Sequence, residues 1–151
     1  MVAMKFYRLS ADFYQQFSMH EEILTNKNRP YYVLFLEIDS LTFAIPLRSH
    51  ITHCFIADSS AGQNKGLDYS KAVIITDGQY LDFSPVTIRQ NEYNVYKKRE
   101  YFIKKQFSSY VMRYIKEIRR RFKNPALPVS MLCQYSVLKY FHRELGLCGY
   151  K

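Results

Sequence analysis

The chain has few of the features that mark secreted, membrane or metal-bound proteins. Its 151 residues include three cysteines, Cys54, Cys133 and Cys148, whose spacing fits neither a disulfide framework nor a metal site. No apolar run reaches the roughly 18 residues that a membrane-spanning helix needs. Met1–Tyr7 also lacks the hydrophobic region of a signal peptide. We therefore expect a cytoplasmic protein with reduced, buried thiols.

Several catalytic motifs are missing as well. The sequence contains no GxGxxG or GxxxxGK[ST] phosphate-binding loop, no GxSxG elbow around Ser49, and no Asp, Glu and His set with metal-ligand spacing. These absences argue against nucleotide-dependent catalysis, an esterase and a two-metal nuclease, and we expect no cofactor. What they leave is metal-independent acid–base and electrostatic chemistry, of the kind that cleaves RNA through attack of its own 2′-hydroxyl.

Positive charge is abundant but unevenly placed. The formal net charge is +9, and the segment Lys97–Lys123 holds eleven Lys and Arg against two Glu, which equals the whole excess. Faces that are merely solvated usually mix charges of both signs. A polyanion partner is therefore the favoured interpretation, with a solvated helix face as the alternative.

Strand and turn signals dominate the first ninety residues. We predict a strand at Lys5–Leu9, an N-cap at Ser10 with a helix through Phe17, a strand at Ile51–Ala57, a loop at Asp58–Gly66, a buried strand within Tyr69–Thr76, a turn at Asp77-Gly78, and extended chain at Tyr80–Gln90.

The periodicity changes after about Asn91. Apolar residues then recur every three or four positions, which predicts a long amphipathic helix from Glu92 to Phe122. A second helix is predicted from Val129 to Leu145, with Gly146 as its C-cap. Strands first and helices last indicate one α+β domain spanning residues 1–151, with helices packed on an antiparallel sheet or small barrel.

The strongest local signal is a hydrophobic hairpin. Two apolar runs, Tyr31–Ile38 and Leu41–Leu47, flank a short Asp39-Ser40 turn. In an antiparallel hairpin the start of the first strand lies beside the end of the second. Arg29 is therefore expected near Arg48, Ser49 and His50. Such a cluster of cations, a hydroxyl and an imidazole suits a phosphodiester.

Four blocks of the sequence follow one another along the chain: KFYRLS, NRPYYVLFLEI, PLRSH and KGLDYSKAVII. In this order they resemble the endoribonuclease toxins of type III toxin–antitoxin systems, the ToxN/AbiQ-like group. The resemblance implies a compact antiparallel, partly open β-barrel with peripheral helices. It also implies metal-independent cleavage of cellular or phage RNA, leaving a 2′,3′-cyclic phosphate. The implied inhibitor is a pseudoknotted small RNA, which the toxin processes from a repeat precursor and binds in a closed protein–RNA hetero-oligomer.

The resemblance carries over to some residues and not to others. The family's Ser after the Pro-Leu turn falls on Ser49, but its preceding Thr is replaced by Arg48. The family's Lys before the long strand falls on Arg29. Arginine can bind phosphate bidentately, yet it stays charged and is a poor proton shuttle. A Tyr present in some members has no counterpart near Thr25.

Two sets of candidate site residues follow. The candidate catalytic residues are Arg29, Ser49, His50 and Lys65. The candidate RNA-binding residues are Lys27, Arg48, His53, Lys71, Lys97, Lys98, Arg113, Lys116 and Arg120. Ordinary turn, edge or surface roles remain open for Ser49, Arg29, Lys65 and the two histidines. For the protein as a whole, the alternative is a non-catalytic RNA- or DNA-binding module that uses the same basic helix.

Overall fold

The structure, a computed structural model, describes residues 5–17, 32–49, 51, 55–58, 64–84 and 86–147. The described elements are strands and helices in the order β1 (Lys5–Leu9), α1 (Ala11–Gln16), β2 (Tyr32–Ile38), β3 (Leu41–Arg48), β4 (Phe55–Asp58), β5 (Lys65–Leu67), β6 (Val73–Ile74), β7 (Leu81–Asp82), α2 (Gln90–Lys98), α3 (Glu100–Lys123) and α4 (Met131–Tyr135). The predicted α+β class is confirmed.

The hairpin β2–β3 forms the centre of the sheet. Its strands pair antiparallel from Val33–Pro46 to Ile38–Leu41, which confirms the predicted strand pair. Asp39 and Ser40 both have positive φ, 49° and 68°. That geometry matches the two-residue turn whose twist suits the flanking strands. The long ladder therefore fixes which residues meet at the far end of the hairpin.

The sheet is open, so the predicted partly open barrel is not what the described strands form. Of the seven antiparallel strands, six follow the order β4-β5-β3-β2-β1-β7, and the seventh, β6, pairs with β3. No described residues pair the outer strands β4 and β7 with each other. Strand β7 has two residues, Leu81 and Asp82, which pair with Leu9 and Arg8. Such a short edge strand ends the sheet instead of continuing it round to closure.

Helices α2 and α3 pack aromatic side chains against the sheet. The ring of Phe6 in β1 lies 5.6 Å from that of Tyr96 in α2, and Phe43 in β3 lies 5.0 Å from Phe107 in α3. All but Phe6 are almost completely buried. This packing holds α2 against β1, and the start of α2 lies beside the open end of the hairpin.

The single helix predicted from Glu92 to Phe122 is wrong, because the chain forms two helices there. Helix α2 ends at Lys98 and α3 begins at Glu100, with Arg99 between them at φ −104° and ψ 15°. The guanidinium carbon of Arg99 lies 4.3 Å from the ring centre of Phe102. The apolar residues whose spacing predicted the helix are buried in α3 at Phe107, Val111, Tyr114 and Ile118. Phe122, the last of them, is 54% exposed and lies outside the core.

The second predicted helix, Val129–Leu145, is also wrong in length. Helix α4 stops at Tyr135, and a 3₁₀ helix follows at Val137–Tyr140. Buried Ser136 divides them: its hydroxyl accepts from the Leu138 N–H and from the Tyr110 hydroxyl at 2.8 Å. Gly146 has φ +72° and closes a hydrogen-bonded turn in which the Leu147 N–H donates to the His142 carbonyl. The glycine thus has the expected conformation, but the helix that it was predicted to cap does not reach it.

The remaining local predictions are confirmed in part. Ser10 caps α1 through the N–H of Phe13. The predicted loop Asp58–Gly66 includes the start of β5 at Lys65. The described residues of the predicted extended segment Tyr80–Gln90 include the short strand β7, but Tyr80 ends a 3₁₀ helix and Gln90 already begins α2.

Candidate functional site

A cleft of about 260 Å³ lies at the open end of the hairpin. It is enclosed by the start of β2, the end of β3, the start of β5 and the segment that enters α2. Its polar lining residues are Tyr32, Arg48, Ser49, Lys65, Thr87, Arg89 and Glu92. The hairpin end is the place where the sequence predicted a cluster of cations and a hydroxyl.

Strand pairing explains why Ser49 and Lys65 share this cleft. Arg48 of β3 pairs with Gly66 of β5 in an antiparallel register. Ser49, which follows Arg48, therefore lies beside Lys65, which precedes Gly66. Gly66 is required at this position, because a Cβ built there would lie 1.9 Å from the Phe55 carbonyl oxygen. The close approach of β4 to β5 accompanies a register shift between Ile56 and Asp58.

Arg48 is held by an ion pair with a buried carboxylate. Its Nη1 donates to Asp68 Oδ2 at 2.7 Å. The Arg48 side chain is 32% exposed, whereas Asp68 is 1% exposed. The pair therefore joins the wall of the cleft to the core beneath β3 and β5.

Lys65 and Arg89 supply positive charge that no described carboxylate neutralises. Neither side chain forms a hydrogen bond or ion pair with any residue in the described part of the chain. Glu92 also lines the cleft, but it is largely buried and its Oε1 accepts from the Tyr96 hydroxyl at 2.8 Å. The excess of cations over carboxylates makes the cleft attractive to an anion.

The first turn of α2 also contributes to the attraction of the cleft for an anion. Arg89 stands at the N-cap position, and its side chain makes no capping hydrogen bond. The free N–H groups of a helix start carry a partial positive charge that favours nearby anions. The Arg89 guanidinium and the end of the helix therefore act in the same direction.

Tyr32 forms the aromatic part of the lining. The guanidinium carbon of Arg8 lies 5.2 Å from the Tyr32 ring centre, and Arg8 Nη2 donates to the Tyr32 hydroxyl at 3.2 Å. The two residues are cross-strand partners in β1 and β2. Arg8 therefore holds the ring at the edge of the cleft.

The structure brings together three of the sequence-predicted site residues, Arg48, Ser49 and Lys65. The others lie elsewhere or outside the described residues. Arg29, His50, Lys27 and His53 belong to the latter group, so their proximity to Ser49 stays a prediction. Lys71 ends a 3₁₀ helix at Tyr69–Lys71 and does not line the cleft. Lys97 and Lys98 are exposed in the last turn of α2.

The remaining three predicted residues line a second concavity, the α3 groove. It measures about 650 Å³ and carries five exposed cations: Arg113, Lys116, Arg119, Arg120 and Lys123. None of these five forms an ion pair with a carboxylate of the described residues. Met112 and Ile115 add an apolar part to the lining. The groove therefore combines unpaired positive charge with some hydrophobic surface.

The candidate site residues from the sequence did not include four residues of the cleft, Tyr32, Thr87, Arg89 and Glu92. They also did not include Asp68, which does not line the cleft but bonds Arg48. One signal was present: Val86 and Ile88 alternate with Thr87 and Arg89 just before α2. Such alternation places the polar pair on one side of an extended segment. Asp68 lies inside the KGLDYSKAVII block, but nothing in the sequence pairs it with Arg48.

The remaining observations concern metal sites, membrane spans and similarity to known proteins. No three His, Cys, Asp or Glu side chains of the described residues are grouped so that they could hold a metal ion. Within the same residues, no helix is long and apolar enough to cross a membrane. No protein-family model matches the chain, and neither a curated protein nor a solved structure matches it.

Proposed function

We propose that the protein is a metal-independent endoribonuclease, the toxin of a type III toxin–antitoxin system. The observation that carries this proposal is the cleft, where the Ser49 hydroxyl shares a lining with Arg48, Lys65 and Arg89. Two of these three cations have no partner among the described residues. A site with one hydroxyl and several available cations suits the phosphodiester of RNA.

The proposed reaction is transesterification. The ribose 2′-oxygen attacks the phosphorus, the bond from phosphorus to the 5′-oxygen breaks, and a 2′,3′-cyclic phosphate and a 5′-hydroxyl result. Arg48, Lys65 and Arg89 offset the negative charge that develops on the phosphoryl oxygens, and Ser49 donates a hydrogen bond to them.

Two protons must also move in this reaction, one from the 2′-hydroxyl and one to the leaving 5′-oxygen. Arginine stays protonated, so Arg48 and Arg89 are unsuited to these transfers. The candidates for these proton transfers are His50, which directly follows Ser49, and His53, which lies a few residues further along the sequence. Arg29 is proposed as a further phosphate ligand.

We further propose that the α3 groove binds the inhibitory RNA, a pseudoknot that the enzyme processes from a repeat precursor. Support comes from the five exposed cations that lack carboxylate partners in the described part of the chain. Arginine and lysine rows of this kind bind the phosphate backbone. A closed protein–RNA hetero-oligomer follows if one RNA contacts the groove of one protein and the cleft of another.

The second candidate function is a non-catalytic RNA- or DNA-binding module. The α3 groove favours it, because the groove is larger than the cleft and its charge alone is sufficient for binding. A module that only binds has no requirement for Ser49, so substitution of this hydroxyl separates the two functions.

The test is RNA cleavage by alanine variants in the presence of EDTA. We expect Ser49→Ala, Arg29→Ala and Lys65→Ala each to lose on the order of 100–1000-fold in rate, with unchanged thermal unfolding. Lys105→Ala, an exposed lysine of α3 outside both concavities, is the matched control and retains full activity. Full activity of the Ser49 and Arg29 variants contradicts this site, and abolition by EDTA contradicts the mechanism.

A further inference from the structure

Asp68 is the most deeply buried carboxylate among the described residues, and it is fully hydrogen-bonded. Its Oδ1 accepts from the Ser70 N–H at 3.1 Å and from Ser70 Oγ at 2.5 Å. Its Oδ2 accepts from Arg48 Nη1 at 2.7 Å. The Asp68 N–H donates to the Pro46 carbonyl at 3.0 Å, which fixes its backbone against β3. A buried carboxylate is costly unless it is paired in this way.

The two carboxylate oxygens of Asp68 accept hydrogen bonds from different residues, Oδ1 from Ser70 and Oδ2 from Arg48. A second turn of the same kind shows which one the turn needs: Asp82 Oδ1 accepts from both the N–H and the Oγ of Ser84, at 2.9 and 2.6 Å. One carboxylate oxygen is therefore sufficient for an Asp-x-Ser turn. Oδ2 of Asp68 is not required by its own turn, and it is directed to a residue of another strand.

Arg48 uses one of its guanidinium nitrogens for this contact. In the described part of the chain it has no other side-chain partner, and its remaining N–H groups are not among the buried, unsatisfied atoms. A guanidinium offers five donors in a rigid plane. The Nη1 contact therefore restrains the guanidinium and leaves its other donors available to the cleft.

We propose that Asp68 is a positioning residue, which orients the Arg48 guanidinium for contact with a phosphate in the cleft. This inference rests on the proposed function for the identity of the ligand. The ion pair and its effect on Arg48 are measurable without any RNA.

The central experiment compares Asp68→Asn, Arg48→Ala and the double variant. Asparagine keeps the oxygen that Ser70 requires but replaces Oδ2 with a nitrogen, which cannot accept from Arg48. We expect Asp68→Asn to lower kcat/KM for RNA cleavage by roughly 10- to 100-fold, since a small misplacement can cost on the order of 100-fold. In the Arg48→Ala background the same change has no further effect, because the two residues act as one unit.

Two further variants separate positioning from folding. Asp77→Asn makes the same change in another turn, where Asp77 Oδ1 accepts from the Gln79 N–H at 2.9 Å, and it leaves activity unchanged. Arg48→Lys keeps the charge but loses the planar donors, so it reproduces the defect of Asp68→Asn with a folded protein. If Asp68→Asn fails to fold, guanidinium rotation in the wild type decides the matter: slower rotation of Arg48 than of the exposed Arg119 supports the inference, and equally fast rotation overturns it.

A spectroscopic readout keeps the inference independent of catalysis. Rotation of the Arg48 guanidinium, followed by NMR of its side-chain nitrogens, is slow in the wild type and faster in Asp68→Asn. If the wild type cleaves RNA but neither rotation nor cleavage changes in Asp68→Asn, the inference is overturned and the proposed function stands. An equal loss in the Arg48→Ala background overturns it too. If the wild type does not cleave RNA, the proposed function fails, and the rotation measurement alone decides the role of Asp68.

Discussion

Removal of three cations from the α3 groove tests whether this surface binds RNA. The perturbation is Arg113, Lys116 and Arg120 replaced together by glutamine. These residues are exposed and line the groove, so the change spares the buried stripe of α3. The groove cations extend from Arg113 to Lys123, a distance of about 15 Å at about 1.5 Å per residue. That length matches several successive phosphates of one RNA strand.

The expected magnitude follows from counterion release. Each phosphate contact contributes roughly 0.7–0.9 to the slope of log affinity against log salt, so three lost contacts lower the slope by roughly 2.1–2.7. A rise from about 50 to about 200 mM salt therefore weakens wild-type binding roughly 20- to 40-fold more than binding of the triple variant. Under the proposed function, cleavage of a short substrate stays near normal, so the variant is an active nuclease that the inhibitory RNA binds less tightly.

The assay is a titration of a fluorescent pseudoknotted RNA at several salt concentrations. A control variant carries the same charge change elsewhere, with Lys104, Lys105 and Arg143 replaced by glutamine. These residues are exposed and lie outside both concavities. Identical affinity and slope for wild type and triple variant would refute the reasoning, and the charge excess would then be only a solvated surface.

Three further predictions concern stability and reactivity. Gly66→Ala places a Cβ against the Phe55 carbonyl and should destabilise the fold by at least roughly 2 kcal/mol, measured by denaturant unfolding. Burial raises the pKa of Glu117, but hydrogen bonds from Cys133 and Ser130 outweigh it and leave this pKa below its ordinary value. Glu117→Gln should therefore cost roughly 1–2 kcal/mol at pH 7, and this cost should vanish as the pH falls through the lowered pKa. Burial, followed by the Glu117 carboxylate, raises the pKa of Cys133 to about 12, so peptide mapping should find its alkylation at pH 8 far slower in native than in unfolded protein.

The hairpin was predictable because its signal is local. Nearly continuous apolar runs define both strands, and the Asp39-Ser40 pair accepts the positive φ of a tight turn. The register then places Arg48 and Ser49 at the open end of the hairpin, as expected. The expected neighbour Arg29 lies outside the described residues, so that part stays a prediction. The buried stripe of α3 was predictable for the same reason, since its period is a property of the sequence alone.

The helix breaks were not predictable, because neither occurs at a residue type that excludes a helix. Arginine is a good helix former, yet the chain breaks at Arg99, whose guanidinium packs on Phe102. Ser136 interrupts the second helix where its hydroxyl bonds Tyr110 of α3. The openness of the sheet likewise depends on the two-residue strand β7, whose pairing no periodicity reveals.

The cleft was predictable only in part, because its walls come from distant segments. Arg89 and Glu92 reach it through the packing of α2 against β1, and Asp68 reaches Arg48 across the ladder of β3 and β5. Contacts of this kind between distant segments cannot be predicted from the spacing of residues along the chain. The resemblance to the toxin family supplied Lys65, whereas local pattern supplied Arg48 and Ser49.

The most direct test of the central claim is the chemistry of the RNA ends that the purified protein produces. RNA is incubated with the protein in EDTA, and mass spectrometry identifies the new termini. The proposed 2′-hydroxyl attack predicts a 2′,3′-cyclic phosphate on one fragment and a 5′-hydroxyl on the other, and Ser49→Ala should yield little of either. Fragments ending in a 3′-hydroxyl and a 5′-phosphate, or intact RNA with wild-type protein, would contradict the account.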